Sequence, residues 1–210
     1  MHRFTDTSDG DLCVDLPLGE VEPRRRRIVD ETWTWLRLEH GAGVVTVSGP
    51  GEHAGAAADA AVTAAPGCPV AVTTADCAPV LFEAPGAVGV AHAGWRGLLA
   101  GVVEATVDAM EAMGHPPHHA ALGPCIGAHH YEFGVEDLGR VADRYGPAVR
   151  ATTTEGRPAL DLTAGVAAAC ASRGVVLRVD GRCTACSPDH WSYRARRDRA
   201  RQALVAWVPR

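Results

Sequence analysis

The chain contains neither lysine nor asparagine, and all 20 of its basic residues are arginine. Together with its many alanines and glycines, this reads as the codon bias of a GC-rich genome and excludes no function. An excess of positive charge is also missing. The net charge is −5, which removes the general electrostatic reason to bind nucleic acid, whose phosphates favour basic surfaces. No apolar run approaches the roughly 20 residues that a membrane-spanning helix needs. The polar start "MHRFTDTSDGDL" does not look like a signal peptide either. The expectation is a cytoplasmic protein with no membrane and no nucleic-acid partner. Aromatic residues are scarce, at 5%, but 47% of the chain is hydrophobic, so a normal core can be built mostly from Ala, Val and Leu. Internal repeats and long linkers are absent, so residues 1–210 are expected to form a single domain. The sequence leaves the oligomeric state open.

Seven cysteines is an odd number, and in a reducing compartment free thiols are the default. Each is read first as a small buried apolar residue and second as a ligand or nucleophile. Two basic runs interrupt the charge balance. "RRRR" at 24–27 reads as a solvated helix face, whereas five arginines within 194–201 invite an anion-binding reading.

Hydrophobic periodicity gives a coarse map. "DLCVDLPL" (11–18) alternates like a strand, and "PRRRRIVDETW" (23–33) starts a short helix with Pro in its first turn. Residues 35–47 read as strand, tight Gly turn and strand, with His40 at the turn, and 48–67 reads as loop with room for a helical turn. Two β-rich runs within 69–84 flank Ala75-Asp76-Cys77, and 87–94 is a strand ending near His92. In 95–114, Leu98, Val102, Ala105, Ala109 and Met113 fit one helical face, with Gly114 as a stop. A strand running into a turn is expected at 119–127, strands at 175–180 and 203–208, and helices at 134–146 and 161–174, the latter capped by Asp161 or Thr163. The sum is an α/β or α+β domain with a mixed sheet.

Zinc and copper take imidazole nitrogen and thiolate sulfur, and catalytic sites keep one position open. His40, Cys77 and His92 each sit at the end of an expected strand, beside Gly or Pro. Three distant ligands converging from strand ends would leave a position for water or substrate. Spacing alone does not single them out among ten histidines and seven cysteines. "CTAC" (183–186) has the spacing of zinc and redox pairs but lacks a second pair, so it reads as structural thiols; "HPPHH" (115–119) reads as a surface loop.

"TADCAPVLF", "AHAGWRG" and "LGPCIGAHHYEFG", in this order and spacing, resemble the bacterial laccase-domain family, also labelled polyphenol-oxidase-like or multicopper-oxidase-like and, more recently, purine nucleoside phosphorylase. The similarity extends through "EHGAGVV", "CTACSPDHWSYR" and "RQALVAWV", roughly residues 36 to 208. The resemblance implies an α/β fold of two mixed β-sheets packed together, with helices on the outside. It implies a metal, usually zinc, held by His40, Cys77 and His92, the triad that ligand chemistry proposes. The implied activities are phosphorolysis of adenosine, inosine, guanosine and methylthioadenosine, and hydrolytic deamination of adenosine, with weak copper-dependent oxidation of phenols. Deamination would draw on water activated by the metal. Phosphorolysis needs phosphate held near the sugar, a task suited to arginine. Arg194 and Arg96 are the candidates, and Asp76 is a candidate to orient a ligand histidine or to cap a turn. Cys125 is expected to be buried, and His129 and His130 either wall the pocket or lie on the surface.

The chain departs from the family pattern. Leu38 replaces a Gln two residues before the first ligand, and Thr5-Asp6-Thr7 stands where the family has Ser-Thr-Arg. The segment before His40 looks shortened. His129-His130 replaces a Cys pair, Ala195 replaces a second Arg after Ser-Tyr-Arg, and Ala200-Arg201 stands for a Gly-Arg. Three readings follow: a zinc enzyme acting on a purine nucleoside and phosphate, a copper phenol oxidase, or a divergent metal-binding regulatory protein without catalysis. The second ranks below the first, because multicopper oxidases need many His-x-His ligands and none occurs here.

Overall fold

In the computed structural model, which describes residues 1–210, thirteen strands and six α-helices follow one another along the chain. The strands are β1 (His2–Phe4), β2 (Thr34–Arg37), β3 (Val44–Val47), β4 (Ala56–Ala57), β5 (Ala60–Thr63), β6 (Val70–Thr74), β7 (Ala78–Ala84), β8 (Ala87–Ala93), β9 (His119–Leu122), β10 (Arg150–Thr152), β11 (Pro158–Leu160), β12 (Val176–Val179) and β13 (Gln202–Ala206). The helices are α1 (Leu18–Ile28), α2 (Trp95–Ala100), α3 (Val102–Ala112), α4 (Val135–Tyr145), α5 (Leu162–Ser172) and α6 (Tyr193–Arg196). One sheet has five strands in the order β1-β13-β6-β2-β4, and the other has six in the order β12-β9-β7-β8-β5-β3; β10 and β11 form a separate hairpin. Both sheets are mixed: β2 runs parallel to β6 while β13 runs antiparallel to it, and β12 runs parallel to β9 while β7 runs antiparallel to β8.

Burial explains the layering. Leu36, Val72, Leu81, Val90 and Leu204 belong to a layer between the two sheets. On the other face of the six-stranded sheet, Val80 and Phe82 pack with Leu98, Val103, Met110 and Val166 from the helices. Each such side chain contributes about 1.5–3 kcal/mol by leaving water. β8 is buried along its whole length, with Val88 and Val90 on the inter-sheet side and Ala87, Ala91 and Ala93 on the helix side. That two-sided burial is why it reads as a continuous apolar run. A Cβ on Gly89 would lie 2.9 Å from Met110 Sδ, so the glycine lets α3 lie close on the sheet.

Several expectations change. Residues 11–18 form no strand but turns leading into α1, which begins at Leu18 and carries Pro23 inside it. β2 and β3 do not pair; the chain crosses from one sheet to the other between them. Residues 48–67, read as loop, contain β4 and the fully buried β5. The helix expected over 95–114 breaks at Gly101, whose φ of 90° is left-handed, and the buried face of α3 is Val102, Val103, Thr106, Val107 and Met110. The arginine run is more than a solvated face. Arg25 is 2% exposed, with its guanidinium 5.1 Å from the Trp35 ring centroid. No helix is long and apolar enough to cross a membrane.

Candidate metal centre and its cleft

His40 lies in the turn after β2, in the left-handed region with φ 57°, a conformation that costs a non-glycine residue of order 1 kcal/mol. A single carboxylate holds that turn. Asp59, 1% exposed at the start of β5, accepts through Oδ2 from the backbone N–H groups of Glu39 (3.1 Å) and Gly41 (2.8 Å). Its Oδ1 accepts from His40 N (3.0 Å) and lies 2.9 Å from His92 Nδ1. Asp59 therefore fixes the backbone of one imidazole-bearing residue and the ring of another, leaving His92 Nε2 free to ligate. His92 is nearly the last residue of β8 and is 3% exposed, whereas His40 is exposed.

Cys77 comes from the short crossing between β6 and β7. Thr74 Oγ1 donates to Cys77 O at 2.7 Å. Asp76 has φ 95°; its Oδ1 accepts from Thr184 Oγ1 and its Oδ2 from the Arg194 backbone N–H, both at 2.6 Å. The contact to a candidate ligand histidine that the sequence offered to Asp76 is made by Asp59, and Asp76 ties this crossing to the C-terminal segment.

The structure brings the three sequence-predicted ligands together. The donor atoms of His40, Cys77 and His92 lie within 4.8 Å of one another, and the two imidazole rings meet edge to face with centroids 4.9 Å apart. Burial pushes the Cys77 thiol up, but the His92 charge and hydrogen bonds from both histidines bring it down to about 6. Burial pulls His92 down, and the Cys77 thiolate and Asp59 carry it up to about 9. A Cβ on Gly94 would lie 3.1 Å from both Cys77 Sγ and His40 Cδ2, so the His-Ala-Gly glycine leaves room for the triad. Two imidazoles and one thiolate, held this way with one exposed side, fit a zinc-class ion.

The triad lies in a cleft of about 540 Å³, a normal size for a small-molecule site. Arg37, Arg194 and Arg201 line it with Tyr131 and Tyr193. Arg194 also donates through Nη1 to Glu132 O at 3.0 Å and stacks on Tyr131, 4.9 Å from its centroid. Arg96 is outside this lining and stacks on Trp95 at 4.4 Å. Leu38 lines the cleft where the family has Gln. Cys125 is buried, its thiol pushed up to about 12 by that burial. His129 and His130 are exposed and lie outside the cleft lining. Sequence reasoning missed Asp59, Arg37, Arg201 and Tyr131. Arg201 carried a signal as part of the 194–201 arginine run and Tyr131 as part of the quoted LGPCIGAHHYEFG motif, whereas Asp59 and Arg37 carried none.

Residues 19–209 match the family described as multi-copper polyphenol oxidoreductase laccase. A purine nucleoside phosphorylase of Streptomyces griseus is 45% identical over 181 residues, 83% of this chain and 73% of that protein. A second, from Streptomyces coelicolor, is 43% identical over 180 residues, 83% of this chain and 74% of its own. The crystal structure of YlmD from Geobacillus stearothermophilus superposes with a TM-score of 0.84 at 26% identity, covering 95% of this chain and 85% of that one.

Proposed function

The chain belongs to the multi-copper polyphenol oxidoreductase laccase family, and on that premise we propose that it is a zinc-dependent purine nucleoside phosphorylase. The observation that carries this reading is one cleft holding both the His40/Cys77/His92 triad and three guanidinium groups. The names of its Streptomyces relatives point the same way. Adenosine, inosine, guanosine and methylthioadenosine are the substrates proposed, with adenosine deamination as a side activity.

Phosphorolysis joins a phosphate oxygen to C1′ of the ribose and breaks the bond from C1′ to the purine nitrogen, which leaves with that electron pair and takes up a proton. Arg194, with Arg37 and Arg201, holds the phosphate; guanidinium groups suit bidentate contact with its oxygens. Asp76 positions Arg194 through its backbone N–H. Burial and the nearby Cys77 charge hold the Tyr131 hydroxyl well above its ordinary pKa of 10, so it keeps its proton and can donate to a purine nitrogen. Arg96 reaches this wall only through Trp95, Phe133 and Tyr131, which contact in series. A zinc ion held by His40, Cys77 and His92 would supply Lewis-acid polarisation at the cleft floor.

The test is incubation of zinc-loaded protein with inosine or adenosine, with and without phosphate, followed by chromatography of the products. Free base and ribose 1-phosphate that form only when phosphate is present are expected. Ammonia release with no free base or ribose 1-phosphate formed would replace the reading with a deaminase, and no turnover by the zinc-loaded protein would overturn it.

A further inference from the structure

The geometry points to a second metal site, formed by His129, Cys183 and Cys186 and suited to a thiophilic cation of the zinc class. The donor atoms of these three residues lie within 4.8 Å of one another. A tetrahedral ion with zinc–sulfur bonds of about 2.3 Å and zinc–nitrogen bonds of about 2.0 Å needs ligand atoms about 3.5–3.8 Å apart, so side-chain rotation alone could close the set.

Three features build the site. Residues 183–187 form a single tight turn in which Ser187 N donates to Cys183 O at 3.0 Å, bringing the two thiols of the Cys-x-x-Cys pair to one side. The Gly127 N–H donates to Cys183 Sγ at 3.1 Å, and His129 Nε2 is 3.1 Å from Cys186 Sγ. An N–H aimed at sulfur is the kind of outer contact that steadies a ligand thiolate. Finally, a Cβ on Gly127 would lie 2.5 Å from His129 Cε1 and 3.3 Å from Cys183 Sγ. Only a residue without a side chain lets the ring fold back against the thiols. The sequence offers a Cys pair without a second pair; the fold supplies the missing donor from a segment more than fifty residues upstream, since the His129 to Cys186 separation is 57.

The position of the cluster suggests its role. Cys125 and Cys183 pair across a short parallel bridge, so the two segments already run side by side. One segment carries Tyr131 and the other carries Arg194, which donates to Glu132 O. An ion held by His129 and the two cysteines would clamp these segments together and so fix one wall of the cleft. The site shares no residue with the His40/Cys77/His92 triad and stands or falls independently of the phosphorylase reading.

The experiment uses the fully reduced Cys77→Ala chain, which removes the triad thiol. Zinc is titrated against a chromophoric chelator, and cobalt(II) is then used as a spectroscopic probe of sulfur ligation. One equivalent of zinc and a sulfur-to-cobalt charge-transfer band are expected. Adding Cys186→Ser should abolish the band, and adding His129→Ala should weaken zinc binding by at least about 10–100-fold, the range for losing even an outer contact. The band in the Cys77→Ala chain is informative whether or not the further variants fold. The inference is overturned if reduced Cys77→Ala protein binds no zinc and gives no band, or if a folded Cys77→Ala/Cys186→Ser chain keeps both. It is equally overturned if the pair forms a disulfide in air and takes up no ion after reduction.

Discussion

Asp59 is one carboxylate with four nitrogen partners, three from a strained turn and one from a buried imidazole. Asp59→Asn keeps its size but puts an amide where an acceptor is needed. Zinc affinity measured by chelator competition is expected to fall by about 10–100-fold, and an unchanged affinity would show that β8 alone orients His92. Gly94→Ala is expected to weaken zinc binding while the fold persists, because the added methyl meets Cys77 Sγ and His40 Cδ2 at 3.1 Å. These two residues mark what the sequence could and could not reveal about the site. Cys77 and His92 entered as candidate ligands from their places at strand ends beside Gly or Pro, and the resemblance of their motifs to the family singled them out. Asp59 sits in "AAADAA", 33 residues from His92, and only the pairing of β5 with β8 brings it there. Arg37 is the exposed last residue of β2; that it faces a cleft depends on how the two sheets meet.

The first helix and the C-terminal turns show charge used inside the fold. In α1, Arg25 packs against Trp35 while Arg26 reaches Glu22 and Asp30 from the surface. Arg25→Ala is expected to cost roughly 1–3 kcal/mol in denaturant unfolding through lost packing, and Arg26→Ala no more than about 0.5 kcal/mol. His190 is buried, with Nδ1 2.9 Å from Ser187 Oγ. Burial, aided by Arg182, holds its pKa below the ordinary 6.5, against the opposing pull of Asp6, Asp180 and Asp189. Below pH 6.5 the unfolded chain therefore takes up a proton that the native chain resists. The contribution of His190 to stability is complete above that pH and is lost as pH falls through its folded value. Melting temperatures measured between pH 7.5 and 5.5 are expected to fall more steeply for the native sequence than for His190→Gln; equal slopes would assign the loss elsewhere. Elements whose two faces differ clearly, such as α4, and runs rich in β-branched residues, such as β6, were legible in the sequence. β5 was not, because Ala60-Ala61-Val62-Thr63 shows weak strand preference and is a strand only by being buried on both faces.

The candidate ligands come from both sheets. His40 follows β2 of the five-stranded sheet, His92 belongs to β8 of the six-stranded one, and Cys77 lies on the crossing between them. An ion there would bind only the docked sandwich. At a free zinc concentration a thousandfold above the dissociation constant, the stabilisation is about 4 kcal/mol. Zinc is thus expected to raise the melting temperature of the native chain, chelation to reverse it, and Cys77→Ala to blunt the shift. An equal shift in Cys77→Ala would move the stabilising ion away from the triad.

The five-stranded sheet has a further consequence, for the order of events during synthesis. Its second strand is β13, which follows every other strand along the chain and is inserted between β1 and β6. Until those residues leave the ribosome, β6 has an open edge and the Asp76 carboxylate lacks both Thr184 and the Arg194 N–H. The growing chain is therefore expected to display the Cys77 thiol on a crossing that its C-terminal contacts have not yet anchored. Cys77 is accordingly expected to react faster with an alkylating reagent in ribosome-bound chains lacking β13 than in the finished protein.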